Sequence, residues 1–280
     1  MRPGTRESPL VSRRFAGQVV LLTGASSGIG AELARQFAVE GARLALAARD
    51  AQRLEVVAAE CRALGGDALV VPGDVGVEAS CASMVERTVA TYGRLDILVN
   101  NAGLGSSGPF DQITDLTIFD TLMRVNYLGS VWCTAHALPQ LKRSKGRLVA
   151  ISSLTGLTGV PKRTAYAATK HAMAGFFDSL RIELDGTGVS VTVVYPGFVF
   201  SEINQRALSP DGTPFGDRGF VRRKGETMET DECARLILAA VAARDRDLVM
   251  TWRGKIGRLL KLISPRLVDR IAKGVIESRQ

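Results

Sequence analysis

A tyrosine and a lysine four residues apart are the first candidates for chemistry in this chain. They bound the stretch YAATK, which runs from Tyr166 to Lys170. On a helix, residues four apart share a face, so the phenol and the ammonium would lie side by side. An ammonium near a phenol favours the phenolate and brings its pKa of ~10 towards neutrality. Because solvated pairs of this kind are common, the surrounding elements decide whether the pair is catalytic.

Two more polar residues are predicted to lie near this pair. Ser153 ends a predicted strand 13 residues before Tyr166, so its hydroxyl could meet the phenol over the edge of a sheet. Only that spacing favours Ser153 over its neighbour Ser152. Asn126, within VNYLG, is an unusual residue for a helix interior, and the alternative is that it only kinks or caps its helix.

Short apolar runs alternate with longer helical patterns, and this alternation predicts the fold. Short apolar strands between longer helices are typical of βαβ units with a buried parallel sheet. The handedness of crossovers then predicts a single-domain α/β fold over residues 15–251, a Rossmann-type doubly wound parallel sheet with helices on both faces. The predicted strands are 18–23, 43–48, 67–74, 95–100, 146–152 and 189–197, and the predicted helices lie at 31–42, 51–64, 77–92, 115–143 and 164–186.

The first predicted strand runs into a glycine-rich turn that is a candidate phosphate site. Ligands of such sheets bind at the carboxyl ends of the strands. Gly24, Gly28 and Gly30 would let the backbone approach a pyrophosphate at a helix N-terminus, where free N–H groups favour anions. The alternative is a purely structural turn. The candidate cofactor contacts of this turn are Thr23, Gly24, Ser26, Ser27, Gly28, Ile29 and Gly30.

The end of the second predicted strand bears on which nucleotide this turn would hold. An acidic side chain at position 48 would accept hydrogen bonds from the ribose hydroxyls of NAD, but that residue is Ala48. The next residue, Arg49, has a planar donor fork suited to a 2′-phosphate, which favours NADP(H) over NAD(H). The alternative is that Arg49 is a solvated loop charge and Asp50 is the N-cap of the next helix.

Polar and small residues also follow the third and fourth predicted strands. Asp74, which precedes Val75, has a carboxylate placed to accept a hydrogen bond from an adenine amino group. After the fourth strand, Asn101, Ala102 and Gly103 would let a cofactor pass over the strand end. Each signal is weak alone, but their positions after successive strands predict one shared site.

Together these motifs resemble those of the short-chain dehydrogenase/reductase family over roughly residues 15–250. Within that family the chain is most similar to NADP-preferring reductases with Arg after the second strand. The resemblance implies further cofactor contacts at Pro196, Gly197, Val199 and Ser201, where Ser201 replaces the more usual Thr and keeps the hydroxyl. The matching residues are TGASSGIG at 23–30, DV at 74–75, NNAG at 100–103, Asn126, Ser153, YAATK at 166–170 and PGFVFS at 196–201.

The same resemblance assigns roles to the catalytic candidates. Tyr166 would give a proton to a carbonyl oxygen as hydride arrives, or take it back in oxidation. Lys170 would hold the nicotinamide ribose hydroxyls, so both residues are also expected to contact the cofactor. Ser153 would donate a hydrogen bond to the substrate oxygen, and Asn126 would hold a water that links Lys170 to solvent. The family also implies a homodimer or homotetramer, paired through the helices around 115–143 and 164–186.

The segment 198–229 has an irregular pattern and is predicted to be a substrate loop or lid. Loops of this length in compact domains are usually functional. Its apolar residues would line a pocket for a lipophilic ketone or secondary alcohol of the steroid, retinoid or fatty acyl type, unless they only pack the loop onto the domain. These residues are Phe198, Phe200, Ile203, Leu208, Phe215 and Phe220.

Residues 252–280 differ from the rest of the chain in charge. They hold eight Lys or Arg side chains and two acidic ones, a net +6 of the chain's +8, so the nearly neutral remainder argues against nucleic acid as a partner. Apolar residues recur at helical spacing, and the Ser264–Pro265 pair predicts two short helices rather than one. A basic amphipathic extension predicts a peripheral membrane contact, or docking on the domain itself or a sister subunit.

The remaining composition narrows the class of protein. Residues 1–14 are polar and basic without an apolar core, which predicts a disordered leader rather than a secretory signal. Four scattered cysteines and two histidines lack ligand spacing, so no metal is predicted and the thiols are expected to be reduced, in a cytoplasmic protein.

The combined prediction is an NADP(H)-dependent carbonyl reductase or alcohol dehydrogenase. One rival is a catalytically silent, nucleotide-sensing protein that keeps the fold without turnover. A second is a membrane-docked accessory subunit in which the C-terminal extension matters more than the site. The intact set of Asn126, Ser153, Tyr166 and Lys170 argues against a silent variant.

Overall fold

Seven parallel strands form one sheet in the computed structural model, which describes residues 13–200, 202–216 and 227–277. The sheet order is β3-β2-β1-β4-β5-β6-β7, so the chain runs outward from β1 to one edge and then returns to build the other half. This order confirms the predicted doubly wound α/β fold. The strands are β1 Val19–Thr23, β2 Arg43–Ala48, β3 Asp67–Pro72, β4 Ile97–Asn100, β5 Arg147–Ile151, β6 Ser190–Tyr195 and β7 Asp247–Val249.

Helices cover both faces of the sheet and enclose two apolar cores. One core joins one sheet face to α1, α2 and α7, and the other joins the opposite face to α3, α5 and α6. The central strands are buried on both faces, which explains their nearly continuous apolar runs. The helices are α1 Gly28–Val39, α2 Ala51–Ala63, α3 Glu78–Tyr92, α4 Thr117–Leu122, α5 Gly129–Ser144, α6 Thr164–Glu183, α7 Thr230–Ala243, α8 Trp252–Ile263 and α9 Pro265–Glu277.

Two elements that follow the irregular segment, the helix α7 and the strand β7, were not predicted from the sequence. The strand β7 is only three residues long, and two charged residues, Arg246 and Asp247, stand at its start, so it shows no apolar run. It is fixed by pairing with β6, where Val194 lies opposite Leu248. The helix α7 follows the irregular segment and packs against α1, a contact between distant parts of the chain.

The long helix predicted over 115–143 is interrupted where Asn126 lies. A π-helical turn, Met123–Leu128, joins α4 to α5. Such turns insert an extra residue into the helix and occur frequently at functional sites. The interruption therefore re-aims the Asn126 side chain towards the sheet edge.

The two ends of the chain differ from the domain. Residues 1–12 of the predicted leader lie outside the described residues, whereas Arg14 hydrogen-bonds to Glu40 and so belongs to the folded domain. The C-terminal extension forms two helices, as predicted, with Pro265 opening α9. In the described part of the chain, no helix is long and apolar enough to cross a bilayer.

Candidate active site

Gly24 and Gly30 allow the turn after β1 to pack against the end of β4. Gly24 has a φ of +66°, and a Cβ there would lie 2.8 Å from the Cα of Ala102. A Cβ on Gly30 would lie 2.2 Å from the carbonyl oxygen of Gly24. Only glycine fits either position, so the turn holds a tight cradle at the carboxyl end of the sheet.

Thr23 and Asn101 hold this cradle in place. The Thr23 hydroxyl donates to Val99 O at 3.2 Å and accepts from the backbone N–H groups of Asn101 at 3.0 Å and Ala102 at 3.1 Å. The Asn101 amide nitrogen donates to Thr23 O at 2.9 Å and Gly24 O at 3.2 Å. Both residues were predicted as cofactor contacts; the Thr23 side chain binds the backbone at the end of β4, and the Asn101 side chain binds the backbone of Thr23 and Gly24. They act here as positioning residues.

The N-terminus of α1 opens towards solvent next to this cradle. Its N-cap, Ser27, has extended backbone and makes no side-chain hydrogen bond to the helix. The first N–H groups of a helix have no partner within the helix, so those of Gly28 and Ile29 can bind an anion. Ser26 and Ile29 are partly exposed at the same opening. These residues fit the pyrophosphate of a dinucleotide.

Arg49 is an exposed charge and Asp50 is a helix N-cap, and the sequence suggested both properties. Asp50 is the N-cap of α2, because its carboxylate accepts from Arg53 N at 3.0 Å. Arg49 is exposed at the end of β2 and makes no hydrogen bond or ion pair among the described residues. The two interpretations are compatible, since the cap leaves the Arg49 guanidinium available to a phosphate.

Asp74 and Val75 follow β3 at the same edge of the sheet. One carboxylate oxygen of Asp74 accepts from Gly76 N at 2.8 Å, which shapes the turn into α3. Val75 is buried, and a Cβ on Gly129 would lie 2.8 Å from its carbonyl oxygen. The predicted adenine contact is thus placed at the correct edge but remains a prediction.

Ser153, Tyr166 and Lys170 line one cavity of about 830 Å³, together with Asn101 and Gly103. Ser153 lies two residues after β5 and caps a short 3₁₀ turn, where its hydroxyl accepts from Thr155 N at 3.2 Å. The tertiary structure therefore brings Ser153, Tyr166 and Lys170 to the edge of the sheet at which the glycine turn lies. Pro196, Gly197 and Val199 line the same cavity, and Ser201 lies outside the described residues.

Lys170 is buried beneath Tyr166. It is 3% exposed, and its ammonium donates to Ile151 O at 2.9 Å and lies 5.6 Å from the centre of the Tyr166 ring. Removal from water disfavours the charged form. Burial accordingly lowers the pKa of Lys170 from 10.5 to about 7.

The surroundings of Tyr166 shift the pKa of its phenol upward. Burial raises the pKa of the phenol, and the Arg163 guanidinium and a hydrogen bond with Ser153 only partly oppose this rise. The sequence predicted that Lys170 would lower it. That prediction also counted the positive charge of an oxidised nicotinamide, and it stays a prediction for the protein with its cofactor; in the protein alone, desolvation of the phenolate is the largest effect.

Asn126 is fully buried and its amide is engaged by the protein. Its oxygen accepts from Leu104 N at 2.7 Å, and its nitrogen donates to Leu104 O at 2.9 Å and to Thr169 Oγ1 at 3.0 Å. Asn126 thus fixes the segment after β4 against α6, next to Lys170. The predicted water between Asn126 and Lys170 stays a prediction.

Sequence reasoning missed two parts of the cavity. Arg163 lines the cavity and donates to Ser106 O at 3.0 Å. It lies one helical turn before Tyr166, and this spacing could have identified it as a site residue from the sequence. The helices α8 and α9 also wall it, through residues that include Trp252 and Ile271. Docking of the extension on the domain itself was one of the predicted alternatives, and Lys261, which donates to Leu157 O at 2.7 Å, agrees with it, but the local pattern did not indicate that the extension walls this cavity.

The chain was compared with known proteins. The profile of the family described as short chain dehydrogenase matches residues 18–211. A Dehydrogenase/reductase SDR family protein 7-like of Dictyostelium discoideum is 37% identical over 95% of this chain and 84% of its own length. An 11-beta-hydroxysteroid dehydrogenase 1A of Arabidopsis thaliana is 38% identical over 94% of this chain and 76% of its own.

A solved structure agrees with these relatives. An alcohol dehydrogenase from the archaeon Thermococcus sibiricus, complexed with 5-hydroxy-NADP, is similar with a TM-score of 0.72 and 26% identity, covering 82% of this chain and 94% of that one. The seven-stranded parallel sheet, the glycine cradle and the Ser153–Tyr166–Lys170 cavity occur together in a chain that the family profile matches over most of its length. This protein belongs to the short-chain dehydrogenase family.

Proposed function

We propose that the protein is an NADP(H)-dependent oxidoreductase that interconverts a carbonyl and a secondary alcohol. The observation that carries the proposal is the shared cavity, in which Tyr166, Ser153 and Lys170 face the side of the sheet edge that holds the glycine cradle. The NADP analogue in the archaeal alcohol dehydrogenase and the names of the relatives support the same class of reaction.

We assign the parts of the cofactor to distinct parts of the fold. The N-terminus of α1 would hold the pyrophosphate and Arg49 the 2′-phosphate, while Lys170 and the backbone near Pro196 would hold the nicotinamide half. When bound, the nicotinamide supplies or accepts the hydride.

Within the cavity, the chain's own residues move the proton. The raised pKa keeps the Tyr166 phenol protonated at neutral pH, so it can donate its proton to a substrate oxygen that becomes an alkoxide. Ser153 Oγ can donate a hydrogen bond to the same oxygen and stabilise the developing charge. In the reverse reaction the phenolate takes the proton back from the alcohol, so the same residue serves both directions.

The cavity walls favour a lipophilic substrate. The described residues that line it beyond the catalytic set include Leu154, Leu157, Val160, Phe198, Ile203, Met228, Met250 and Trp252. The cavity of about 830 Å³ would hold the nicotinamide half of the cofactor as well as the substrate. We propose a bulky ketone or secondary alcohol, a class consistent with the hydroxysteroid dehydrogenase names of the relatives.

The first test is cofactor binding. Titration of the protein with NADPH and NADH should show NADPH binding at least about tenfold tighter, which is ~1.4 kcal/mol, and Arg49→Ala should remove the difference. Equal binding of both cofactors, unchanged by the substitution, would remove the support for NADP(H).

The second test separates enzyme from the two rivals. In a screen of lipophilic ketones with NADPH, Tyr166→Phe should abolish turnover and leave NADPH affinity within about twofold, because the phenol hydroxyl acts on the substrate oxygen. A nucleotide-sensing protein would show no turnover in the wild type. An accessory subunit would keep its biological activity in the Tyr166→Phe variant.

The extension is proposed to contact an anionic membrane surface. None of the residues of α8 is buried, and Leu262 and Ile263 are 82% and 83% exposed among Lys and Arg side chains. Basic helices with an exposed apolar face bind at lipid interfaces. The substitutions Leu262→Ser and Ile263→Ser together should reduce co-sedimentation with phosphatidylserine vesicles. As control, Val56→Ser with Leu116→Ser, on exposed residues elsewhere, should leave it unchanged.

A homodimer or homotetramer is proposed on family grounds, paired through α4 to α6. Light scattering coupled to size-exclusion chromatography measures the mass directly. A mass of one chain at micromolar concentration would contradict the proposal.

A further inference from the structure

An ion pair joins two segments that lie far apart in the sheet. Arg53, in the first turn of α2, lies 2.7 Å from Glu202 through its Nη1 and the carboxylate Oε2. Glu202 follows β6, and three strands separate β6 from β2 in the sheet order. The segment after β6 therefore crosses the carboxyl ends of the intervening strands, above the glycine cradle. A hydrogen bond from Leu208 N to Gly105 O, after β4, marks the same crossing.

The Arg53 guanidinium belongs to the charged cluster at the end of β2. Its Nε lies 3.6 Å from the Asp50 carboxylate, one residue after Arg49. Glu202 in turn is shared with Arg206 from its own segment. The side chains of Arg53 and Glu202 are about half exposed, and ion pairs of that kind are weak. A stronger anion can thus displace Glu202 at small cost.

We propose that Arg53 is a second 2′-phosphate-binding residue beside Arg49, for which Glu202 competes, so that this pair modulates the preference for NADPH over NADH. The inference rests on the proposed use of NADP(H). A phosphate dianion offers three acceptor oxygens to a guanidinium fork, whereas Glu202 offers one carboxylate already shared with Arg206. NADH lacks the 2′-phosphate, so its affinity does not depend on which anion Arg53 holds.

The proposal predicts opposite effects for the two partners. Dissociation constants for NADPH and NADH are measured by fluorescence titration at low salt. Arg53→Gln should weaken NADPH about fivefold or more, by loss of a charge-assisted hydrogen bond, and leave NADH within about twofold. Glu202→Gln should tighten NADPH about two- to fivefold, because a competing and repelling carboxylate is removed, and leave NADH unchanged. Arg62→Gln, on the same helix and paired with Glu55, is the control and should change neither.

The variant that carries both Arg53→Gln and Glu202→Gln tests whether Glu202 competes with the phosphate for Arg53. If Glu202 acts through Arg53, then Glu202→Gln should have little effect on NADPH in the Arg53→Gln background. The same tightening in both backgrounds would overturn the competition. Equal effects of Arg53→Gln on both cofactors, or no effect on either, would overturn the role of Arg53. NADH affinity also reports whether each variant is folded.

Failure of this inference and failure of the proposed function are distinguishable. If Arg49→Ala removes the NADPH preference while Arg53→Gln leaves it intact, only the role of Arg53 is refuted. If the wild type shows no preference and Arg49→Ala has no effect, the proposed NADP(H) use itself fails.

Discussion

Replacing Lys170 by methionine is expected to stabilise the nucleotide-free protein at neutral pH while abolishing turnover. Lys170 is almost completely buried, and in the described part of the chain no carboxylate pairs with its ammonium. Methionine is similarly long and unbranched and fills the same space without a charge. The substitution therefore removes a desolvated ammonium and little packing.

The magnitude follows from the pKa. Burial lowers the pKa of Lys170 from 10.5 to about 7, and at ~1.36 kcal/mol per pH unit this corresponds to a cost of about 5 kcal/mol. Lys170 also donates to Ile151 O at 2.9 Å and to Met173 Sδ at 3.5 Å. Losing these bonds costs about 1–2 kcal/mol, which leaves a net gain of about 3 kcal/mol in the free energy of unfolding.

The gain should depend on pH with a defined sign. Below pH 7 the lysine is charged in both the folded and the unfolded chain, so burying the ammonium lowers the wild type's free energy of unfolding by its full amount. Between about 7 and 10.5 only the unfolded chain holds the proton, so wild-type stability rises with pH relative to the variant. At pH 9 the cost of keeping the buried lysine unprotonated is about 2 kcal/mol. The hydrogen bonds that the variant loses contribute about the same amount, so the wild type and the variant should be nearly equally stable.

Urea denaturation at pH 6, 7, 8 and 9 measures this difference. Lys142→Met, on an exposed lysine of α5, is the matched control and should show no pH-dependent gain over this range. A Lys170→Met variant that is less stable than the wild type at pH 6, or whose difference does not change with pH, would refute the reasoning. Such a result would mean that Lys170 stays charged and is solvated or paired.

Three further outcomes are expected. Thr23→Val should lower the free energy of unfolding by about 1–3 kcal/mol in urea titrations, since the backbone N–H groups of Asn101 and Ala102 lose their acceptor; an unchanged midpoint would show that water replaces it. Gly30→Ala should lose NADPH binding in a titration, because its Cβ would lie 2.2 Å from Gly24 O, whereas Gly175→Ala, with open space around it, should bind normally. All four cysteines are buried, and burial raises the pKa of Cys61 to about 11 and that of Cys233 to about 12, so a thiol reagent at pH 7.5 should label the native protein only as fast as it unfolds. Rapid labelling of any thiol would contradict this.

Local patterns in the sequence were sufficient for most of the fold. Six of the seven strands and the predicted helices α1–α6 are visible as apolar periodicity, because strands buried on both faces must be apolar throughout. Short β7 was missed because its position is set by pairing with β6 rather than by its own residues. A kink at Asn126 was one of the predicted alternatives, but the π turn itself depends on the partners of that side chain, Leu104 and Thr169.

The sequence by itself determined the residues of the site from residue type and spacing: the glycine turn, Arg49 and Ser153 follow strands, and Tyr166 and Lys170 share one face of a helix. Only the tertiary structure decided what those residues do to one another. The Asn101 side chain binds the turn rather than facing outward, α8 and α9 wall the cavity, and Arg53 meets Glu202 across three strands. The pKa values of Tyr166 and Lys170 were likewise beyond the sequence, because desolvation sums over neighbours that the fold brings from distant parts of the chain.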